Sequence, residues 1–168
     1  LSFYAFQVIS YVADVYRGKV KAERSFFNLL LYLSMFPKMM QGPIVRYEQV
    51  ARQLMDRRTT PRAAFEGAQR FIIGLAKKVL LADYAGKVVA SLSTGGGNGT
   101  FVGAWLAALM FMFQIYFDFS GYSDMAIGLG RIFGFRYCEN FDLPYISTSI
   151  TEFWRRWHIT LGRWFRDY

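Results

Sequence analysis

The sequence contains a single cysteine, Cys138, and a single histidine, His158, among its 168 residues. One cysteine excludes a disulfide within the chain and a metal cluster held by several thiolates. One histidine excludes the paired patterns H-x-x-x-H and H-E-x-x-H, and scattered carboxylates complete a weak ligand set. Packing is therefore our interpretation of Cys138, and we expect neither a bound metal nor a bound cofactor.

Sequence motifs for nucleotide and ester chemistry are also missing. There is no Walker phosphate loop and no G-x-S-x-G nucleophile motif. The stretch GLGRIFG has the spacing G-x-G-x-x-x-G, which differs from the dinucleotide fingerprint, and it follows no predicted strand. The stretch STGGGNG lacks the lysine of a phosphate-binding loop. Any enzymatic activity must therefore use other groups.

Acidic residues are few, since 12 Asp and Glu stand against 20 Lys and Arg, for a net charge of +8. The basic residues form short clusters between apolar runs, a pattern typical of the cytoplasmic loops of membrane proteins. A soluble domain that binds nucleic acid is an alternative explanation of the charge. The apolar run at 101–117 disfavours that alternative.

Apolar and aromatic residues dominate, at 54% and 19% of the chain. The run FVGAWLAALMFMFQIYF at 101–117 continues with few interruptions to about residue 130, which exceeds the ~20 residues that a membrane span requires. We predict one all-helical, multi-pass membrane region over 1–168, with re-entrant or interfacial helices. Because the chain opens without Met inside an apolar run, we expect it to be an internal part of a longer protein.

The first half of the chain contains two further apolar segments. Residues 1–16 form the first, and residues 26–41 form the second, which is interrupted at Pro37. The dipeptide Gly42-Pro43 follows and breaks helices. Short apolar segments of this kind are typical of re-entrant or broken helices that surrounding protein shields from lipid.

Three more polar segments separate these runs from the main apolar run. Residues 46–62 are rich in arginine and predict a solvated cytoplasmic link. Residues 64–92 have lysines scattered through a helical pattern, which predicts a helix at the membrane interface or packed against protein. The stretch STGGGNGT at 93–100 predicts a flexible loop.

The stretch TEFWRRWHITLGRWFRDY at 151–168 has the period of an amphipathic helix, with aromatic residues on one face and arginines on the other. Ser149 and Glu152 form the S-x-x-E pattern of a capping box, which predicts that the helix starts there. Such a helix suits a membrane interface, with its tryptophans as anchors. On one continuous helix, His158 falls at the edge of the apolar face, half turned toward the polar side.

The apolar run also contains a stripe of polar and small residues. On a helix, one face collects Gln114, Asp118, Gly121, Met125 and Gly128. Such stripes are typical of faces on which membrane helices pack and of faces that line functional sites. We therefore expect this face to contact protein.

Asp118 and Asp124 are carboxylates within or beside the predicted span, where charge is costly. One interpretation is structural, with each aspartate paired to an arginine such as Arg131 or Arg155. The other is that the aspartates, together with Gln114, Arg155 and Arg156, line a substrate tunnel or support an active site. The residues alone leave both interpretations open.

His158 also has two interpretations. A histidine among aromatic residues is often a hydrogen-bonded packing residue. Catalysis is the alternative, because imidazole titrates near neutrality and can take a proton from a hydroxyl and return it. No other histidine in this sequence competes for that role.

Three stretches together resemble the membrane-bound O-acyltransferase family, in its bacterial alginate O-acetyltransferase-like branch. They are QIYFDFSGYSDMAIGLGRIFGF, NFDLPYIS and EFWRRWHITLGRWFRDY. Upstream, SFYAFQVISYVADVYRGK, MFPKMMQGPIVRY and GLAKKVLLADYAGKV match the same branch in order, so the resemblance extends over nearly the whole chain. The stretch PKMMQGPIVRY departs from the sequence usual in the alginate-type branch, so the resemblance does not specify the polysaccharide.

The resemblance implies a multi-pass helical protein of the bacterial inner membrane with a tunnel through it. It implies transfer of an acyl group, commonly acetyl, from a donor such as acetyl-CoA to hydroxyls of a cell-surface or secreted polysaccharide, with extracytoplasmic partner proteins. His158 falls on the histidine of the W-x-R-W-H motif. The family's other characteristic histidine would lie beyond residue 168, so His158 is either the general base or a residue that orients substrate for that histidine. By this resemblance, the isolated chain is not expected to be a competent enzyme.

Two further functions stay open at this point. Within the same family, the chain could belong to an enzyme that transfers D-alanine to teichoic acid. Outside enzymology, it could belong to a non-catalytic membrane component of polysaccharide export, in which His158 and the aspartates are structural.

Overall fold

A computed structural model describes residues 2–38, 41–94 and 99–168. The described residues form helices and no strand, which confirms the predicted all-helical class. The helices are α1 Ser2–Tyr16, α2 Phe26–Ser34, α3 Tyr47–Met55, α4 Pro61–Ala76, α5 Asp83–Thr94, α6 Phe101–Ile132, α7 Ile150–Arg156 and α8 Ile159–Asp167. A π-helical segment, Lys77–Ala82, joins α4 to α5, and 3-10 turns occur at Phe36–Lys38 and Pro144–Ile146.

The rod formed by α4, the π segment and α5 packs against α6 over its length. Gly67 faces Gly128 and Gly74 faces Gly121, so a Cβ added at any of the four would lie 2.5 to 2.7 Å from the opposing carbonyl oxygen. The order of these pairs makes the two rods antiparallel. The backbones approach this closely because neither side has a Cβ, which confirms that this face of α6 packs against protein.

Among the described residues, α6 is the one helix long and apolar enough to cross a membrane. Its most apolar 18-residue window is only 6% buried within the chain, unlike the core helix of a soluble protein. Large side chains such as Phe101, Val102, Trp105 and Phe111 are exposed along it. These apolar surfaces require lipid or further protein around them.

The buried core lies where α2 and α3 meet the C-terminal end of α6. It consists of Tyr32, Met35, Val45, Tyr47, Val50, Leu54, Ile127, Phe135 and Tyr137. The hydroxyl of Tyr32 donates to the carbonyl oxygen of Val45 at 3.0 Å, which satisfies the one polar group of that buried ring.

The solvated link predicted for residues 46–62 is wrong for its first part, which forms α3. Tyr47, Val50 and Leu54 recur at helical spacing and are buried in the core. Within α3 the only arginine is Arg52, which is exposed, and the other arginines of the stretch lie outside the helix. Their number concealed a short apolar stripe. Residues 56–60 connect α3 to α4, which begins at Pro61.

The interruption predicted near Pro37 is confirmed, because α2 ends at Ser34 and a 3-10 turn follows. Whether this segment enters the membrane stays a prediction. The helix predicted at 64–92 is confirmed as part of the continuous rod packed on α6. Four residues of the predicted loop at 93–100, those at 95–98, lie outside the described residues.

The single amphipathic helix predicted for the end of the chain is wrong, because it is broken at Trp157 and His158. The predicted start is confirmed, since Ser149 caps α7 by accepting from the backbone N–H of Glu152 at 3.1 Å. At the break, the N–H of Ile159 donates to the carbonyl oxygen of Asn140 at 2.9 Å. The backbone therefore bonds to a distant loop in place of its own preceding turn, and the aromatic residues do not share one face.

Candidate active site

His158 occupies the break between α7 and α8. Its backbone is in the left-handed region, with φ 44° and ψ 54°. For a residue with a Cβ this conformation costs on the order of 1–3 kcal/mol, so the surrounding contacts must hold it. The residue is 8% exposed, which corrects the half-turned position expected on a continuous helix.

The side chain of Asn140 is the hydrogen-bonding centre of this region and is 1% exposed as a residue. Its Oδ1 lies 2.9 Å from Nδ1 of His158. The same oxygen accepts from the hydroxyl of Thr160 at 2.8 Å and from the N–H of Thr160 at 3.3 Å. Its Nδ2 donates to the hydroxyl of Ser123 on α6 at 3.0 Å. Asn140 thereby links the histidine segment to α6.

Aromatic rings surround the imidazole on both sides. The ring centroid of Phe119 on α6 lies 4.8 Å from that of His158 in edge contact, and that of Phe3 on α1 lies 6.3 Å away in a stacked arrangement. Burial lowers the pKa of His158 to about 4. The imidazole is therefore neutral near pH 7, which is the form that accepts a proton.

A cavity of about 460 Å³ opens beside this imidazole. Its lining consists of His158, Asp118, Gln41, Phe3, Phe6, Ile115, Phe119 and Leu161. The walls are mostly apolar, with a few polar groups, which is the usual character of a small-molecule site. The structure thus brings His158 and Asp118, two of the residues singled out in the sequence, to one cavity.

Asp118 is held by the π segment of the neighbouring rod. Its Oδ1 lies 2.5 Å from Nζ of Lys78, which is also 2.9 Å from Oδ1 of Asp83. The side chain of Asp118 remains 42% exposed. The predicted partners Arg131 and Arg155 are therefore wrong for this aspartate, because the antiparallel packing presents a lysine to it.

Asp124 lies at the centre of an ionic network between α4 and α6. Its Oδ2 is 2.6 Å from Nζ of Lys77, and its Oδ1 is 2.9 Å from Nη2 of Arg70. Arg70 also bonds to the carboxylate of Glu139 at 2.5 Å. An arginine does pair with Asp124, but it is not Arg131, which contacts Glu66.

The ionic network borders a second, smaller cavity of about 190 Å³. Asp124, Ser123, Asn140 and Asp142 are among its lining residues. Asn140 lines this cavity and His158 lines the larger one, so the bond between the two residues connects the linings of the two cavities.

The remaining predicted site residues are placed apart from His158. Gln114 packs over Gly86 of α5, where an added Cβ would lie 2.8 Å from its Nε2. Arg156 bonds to Glu152 at 3.0 Å and to Asp142 at 3.3 Å, which ties α7 to the preceding loop. Arg155 is exposed, with no ion pair to any described residue.

Sequence reasoning missed Asn140 and Thr160. Asn140 lies in NFDLPYIS, a stretch that supported the resemblance, but nothing in its spacing links it to a histidine 18 residues later. Their pairing depends on the break at Trp157 and His158, for which the sequence pattern gave no signal.

A neutral imidazole beside an apolar cavity can take a proton from a hydroxyl that binds there. The same chain contains α6, a helix long and apolar enough to cross a membrane. The family model for the membrane-bound O-acyltransferase family matches residues 19–168. The chain belongs to this family, as its motifs indicated.

Among curated proteins, the chain is 51% identical over its full length to the probable alginate O-acetylase AlgI of Pseudomonas syringae pv. tomato, covering 32% of that protein. It is 35% identical to the peptidoglycan O-acetyltransferase of Helicobacter pylori, covering 37% of it. It is 28% identical to the teichoic acid D-alanyltransferase of Bacillus subtilis, covering 43%. Each match includes the whole chain, so the chain spans about a third of the length of the alginate O-acetylases it matches.

Proposed function

We propose that the protein to which this chain belongs is an acyltransferase that moves an acyl group, acetyl in the first instance, to hydroxyls of a cell-surface or secreted polysaccharide. His158 is the general base of the transfer. The observation that supports this role most directly is the buried, neutral imidazole at the wall of the 460 Å³ cavity, with one ring nitrogen bonded to Asn140.

The reaction requires one proton transfer and one exchange at the acyl carbon. The acceptor hydroxyl gives its proton to Nε2 of His158 while its oxygen forms a bond to the acyl carbon. The bond between that carbon and the sulfur of a thioester donor, such as acetyl-CoA, then breaks. The proton passes from the imidazolium to the leaving thiolate, so an ester and a thiol are released. General base catalysis of this kind contributes about 10²- to 10⁴-fold to the rate.

Placement of both substrates contributes as well. Holding the hydroxyl and the acyl carbon in line supplies several kcal/mol, on the order of the effects seen in intramolecular reactions. Asp118 is the charged group on the same cavity wall. We assign it a supporting role in shaping the cavity, because Lys78 already pairs with its carboxylate.

The choice of acetyl over D-alanyl follows from similarity. Identity is 51% to the alginate O-acetylase and 35% to the peptidoglycan O-acetyltransferase, against 28% to the teichoic acid D-alanyltransferase. D-alanyl transfer is therefore the second candidate. The proposed setting is a multi-pass protein of the bacterial inner membrane that works with extracytoplasmic partner proteins in acyl transfer.

The test uses the full-length protein in its native cell. His158→Ala is introduced, a blot measures the protein in the membrane fraction, and ester-linked acyl groups on the surface polysaccharide are released by mild alkali and identified. We expect normal protein and a loss of at least about 10²-fold in ester. Release of acetate from the wild type supports the acetyl assignment, and release of D-alanine replaces it with the second candidate.

Thr151→Ala provides the control, because Thr151 is an exposed residue of α7. This variant should retain both protein and ester. Normal ester content in His158→Ala would show that His158 is not the base and would favour the family histidine expected beyond residue 168. Unchanged ester together with reduced protein would support the structural, non-catalytic alternative.

A further inference from the structure

We infer that Asn140 is a positioning residue for this reaction, because it holds His158 in the tautomer with the proton on Nδ1 and leaves Nε2 as the base. The inference rests on the proposed role of His158 and goes further, since it names the group that prepares the histidine for proton transfer. It depends on the hydrogen bonds around one buried amide.

The orientation of the Asn140 amide follows from its neighbours. The backbone N–H of Thr160 can only donate, and it lies 3.3 Å from the amide atom assigned as Oδ1. An NH₂ group in that position would place two donors against each other. The amide atom beside Thr160 is therefore the oxygen, and the NH₂ group points to the hydroxyl of Ser123 at 3.0 Å.

The hydroxyl of Thr160 gives a second and independent constraint. It accepts from the N–H of Ile44 at 3.0 Å, so its own proton is directed elsewhere. The acceptor within reach is Oδ1 of Asn140 at 2.8 Å. Both donors of Thr160 thus require an oxygen at the same place.

The tautomer of His158 follows from this orientation. Nδ1 lies 2.9 Å from the same Oδ1, and an amide oxygen cannot donate. Nδ1 must therefore carry the proton. A neutral imidazole has one N–H, so Nε2 has the free lone pair, and no described residue forms a hydrogen bond with it. Asn140 lines the smaller cavity and His158 the larger one, and Nε2 is the ring nitrogen that is not bonded to Asn140. We therefore assign Nε2 as the nitrogen that meets a hydroxyl in the larger cavity.

Asn140 also holds the backbone of the histidine. Its carbonyl oxygen accepts from the N–H of Ile159 at 2.9 Å, directly after the residue in left-handed conformation. One residue therefore fixes the ring, the tautomer and the strained backbone. Through Ser123 this arrangement is anchored to α6, which also supplies Phe119 to the edge of the ring.

The charged groups that face the two cavities are already paired, so the neutral amide of Asn140 is the group that orients His158. Asp118 faces the larger cavity but pairs with Lys78, and Asp124 faces the smaller cavity but pairs with Lys77 and Arg70. The rings from α1 and α6 against His158 are uncharged. A carboxylate in this position would stabilise the protonated imidazole. A neutral amide orients the ring without that effect.

The experiment compares Asn140→Ala and Asn140→Asp in the full-length protein. Native membrane vesicles receive radiolabelled acetyl-CoA, and alkali-labile label in the polysaccharide is measured from about pH 6 to about pH 9. We expect Asn140→Ala to lose on the order of 10²-fold in kcat with little change in KM. Asn140→Asp should recover much of kcat at high pH and lose it at low pH, because a carboxylate raises the pKa of the histidine.

Asn28→Ala is the matched control, since its amide makes an exposed contact with the sulfur of Met55 and Asn28 lines neither cavity. It should behave as wild type. Equal activity of Asn140→Ala and wild type would overturn the inference, and so would equal loss in both Asn140 variants at every pH, which indicates a structural role. Retained activity in His158→Ala would instead defeat the proposed function on which the inference rests.

A spectroscopic measurement keeps the inference testable if the Asn140 variants do not fold. The wild-type full-length protein is labelled with isotopic nitrogen in its histidines, and the His158 signal is assigned by its absence in His158→Gln. We expect the nitrogen shifts of a neutral ring protonated at Nδ1. The shifts of a ring protonated at Nε2 would refute the role given to Asn140.

Discussion

Gly74 of α4 and Gly121 of α6 face each other with no side chain between their backbones. A Cβ added to Gly74 would lie 2.5 Å from the carbonyl oxygen of Gly121, and one added to Gly121 would lie 2.7 Å from that of Gly74. The same arrangement recurs two turns away at Gly67 and Gly128. These contacts set the distance between the two rods, and α6 is the rod that supplies Ser123 and Phe119 to the histidine region.

Substitution of Gly121 by Ala should separate the rods. The opposing atom is backbone, which cannot rotate away, so we expect destabilisation by about 1–3 kcal/mol, the usual range for overpacking. Thermal unfolding of the detergent-solubilised full-length protein measures it. Gly162→Ala is the control, because an added Cβ there meets its nearest atom at 3.6 Å, an ordinary contact. Equal unfolding temperatures for the two variants would contradict this account of the interface.

Asp124→Asn should destabilise the protein by leaving Lys77 and Arg70 without their shared carboxylate. The Asp124 side chain is 14% exposed, so water compensates only in part, and we expect a loss of about 2 kcal/mol. Asp56→Asn removes an exposed pair with Arg58 and should change the stability by less than about 0.5 kcal/mol. Chemical denaturation of the two variants provides the comparison, and the prediction fails if they lose stability equally.

Thr160→Val should lower stability although the two side chains have the same shape. The hydroxyl of Thr160 accepts from the buried N–H of Ile44 and donates to Asn140. Its removal leaves both groups unpaired, at a cost of about 1–3 kcal/mol. Thr160→Ser retains the hydroxyl and should lose less. If the serine variant is the less stable of the two, the methyl group matters more than the hydrogen bonds.

Lys38 should make stability depend on pH. It is fully buried, with Nζ 2.8 Å from Oε1 of Gln7 and 4.0 Å from the ring centroid of Tyr32. Burial lowers the pKa of its ammonium from 10.5 to about 7. Between these values the unfolded chain binds this proton more strongly than the folded chain does. The free energy of unfolding therefore rises with pH across that window, and below it the cost of burying the charge is complete.

Lys38→Met removes that dependence. The free energy of unfolding of the variant, relative to that of the wild type, should be highest at about pH 6. This relative stability should decrease by about pH 9, because the wild type becomes more stable as the pH rises. The slope with pH is the measurement, because loss of the bond to Gln7 is a constant term. Lys21→Met, at an exposed position, should show no such slope. A difference independent of pH would mean that the buried lysine does not titrate as described.

Sequence patterns correctly predicted those helices and faces that depend on residues close together along the chain. The long apolar run forms α6, the S-x-x-E pattern starts α7, and the small residues of α6 form a packing face. These features depend on helical period, capping and the absence of Cβ atoms. The prediction of a solvated link for the arginine-rich stretch that contains α3 was wrong. Only three buried positions at helical spacing indicate the helix there.

The candidate site was less predictable, because its contacts join distant parts of the chain. The sequence indicated His158 as the one imidazole available, but it gave no reason to pair it with Asn140. It also suggested Arg131 for the aspartates, whereas antiparallel packing presents Lys78 to Asp118 and Lys77 with Arg70 to Asp124. Charge alone does not specify a partner when several arginines and lysines are in range along the chain.

By itself, the sequence determined the helical class, the apolar helix that suits a membrane, the family and the one candidate histidine. These follow from composition, periodicity and motifs, which are properties of neighbouring residues. The tertiary structure alone decided that the terminal helix breaks at His158, that Asn140 bonds to its Nδ1, and that the ring faces the larger cavity. The reason is physical: a left-handed backbone at a histidine persists only where bonds from a distant loop hold it.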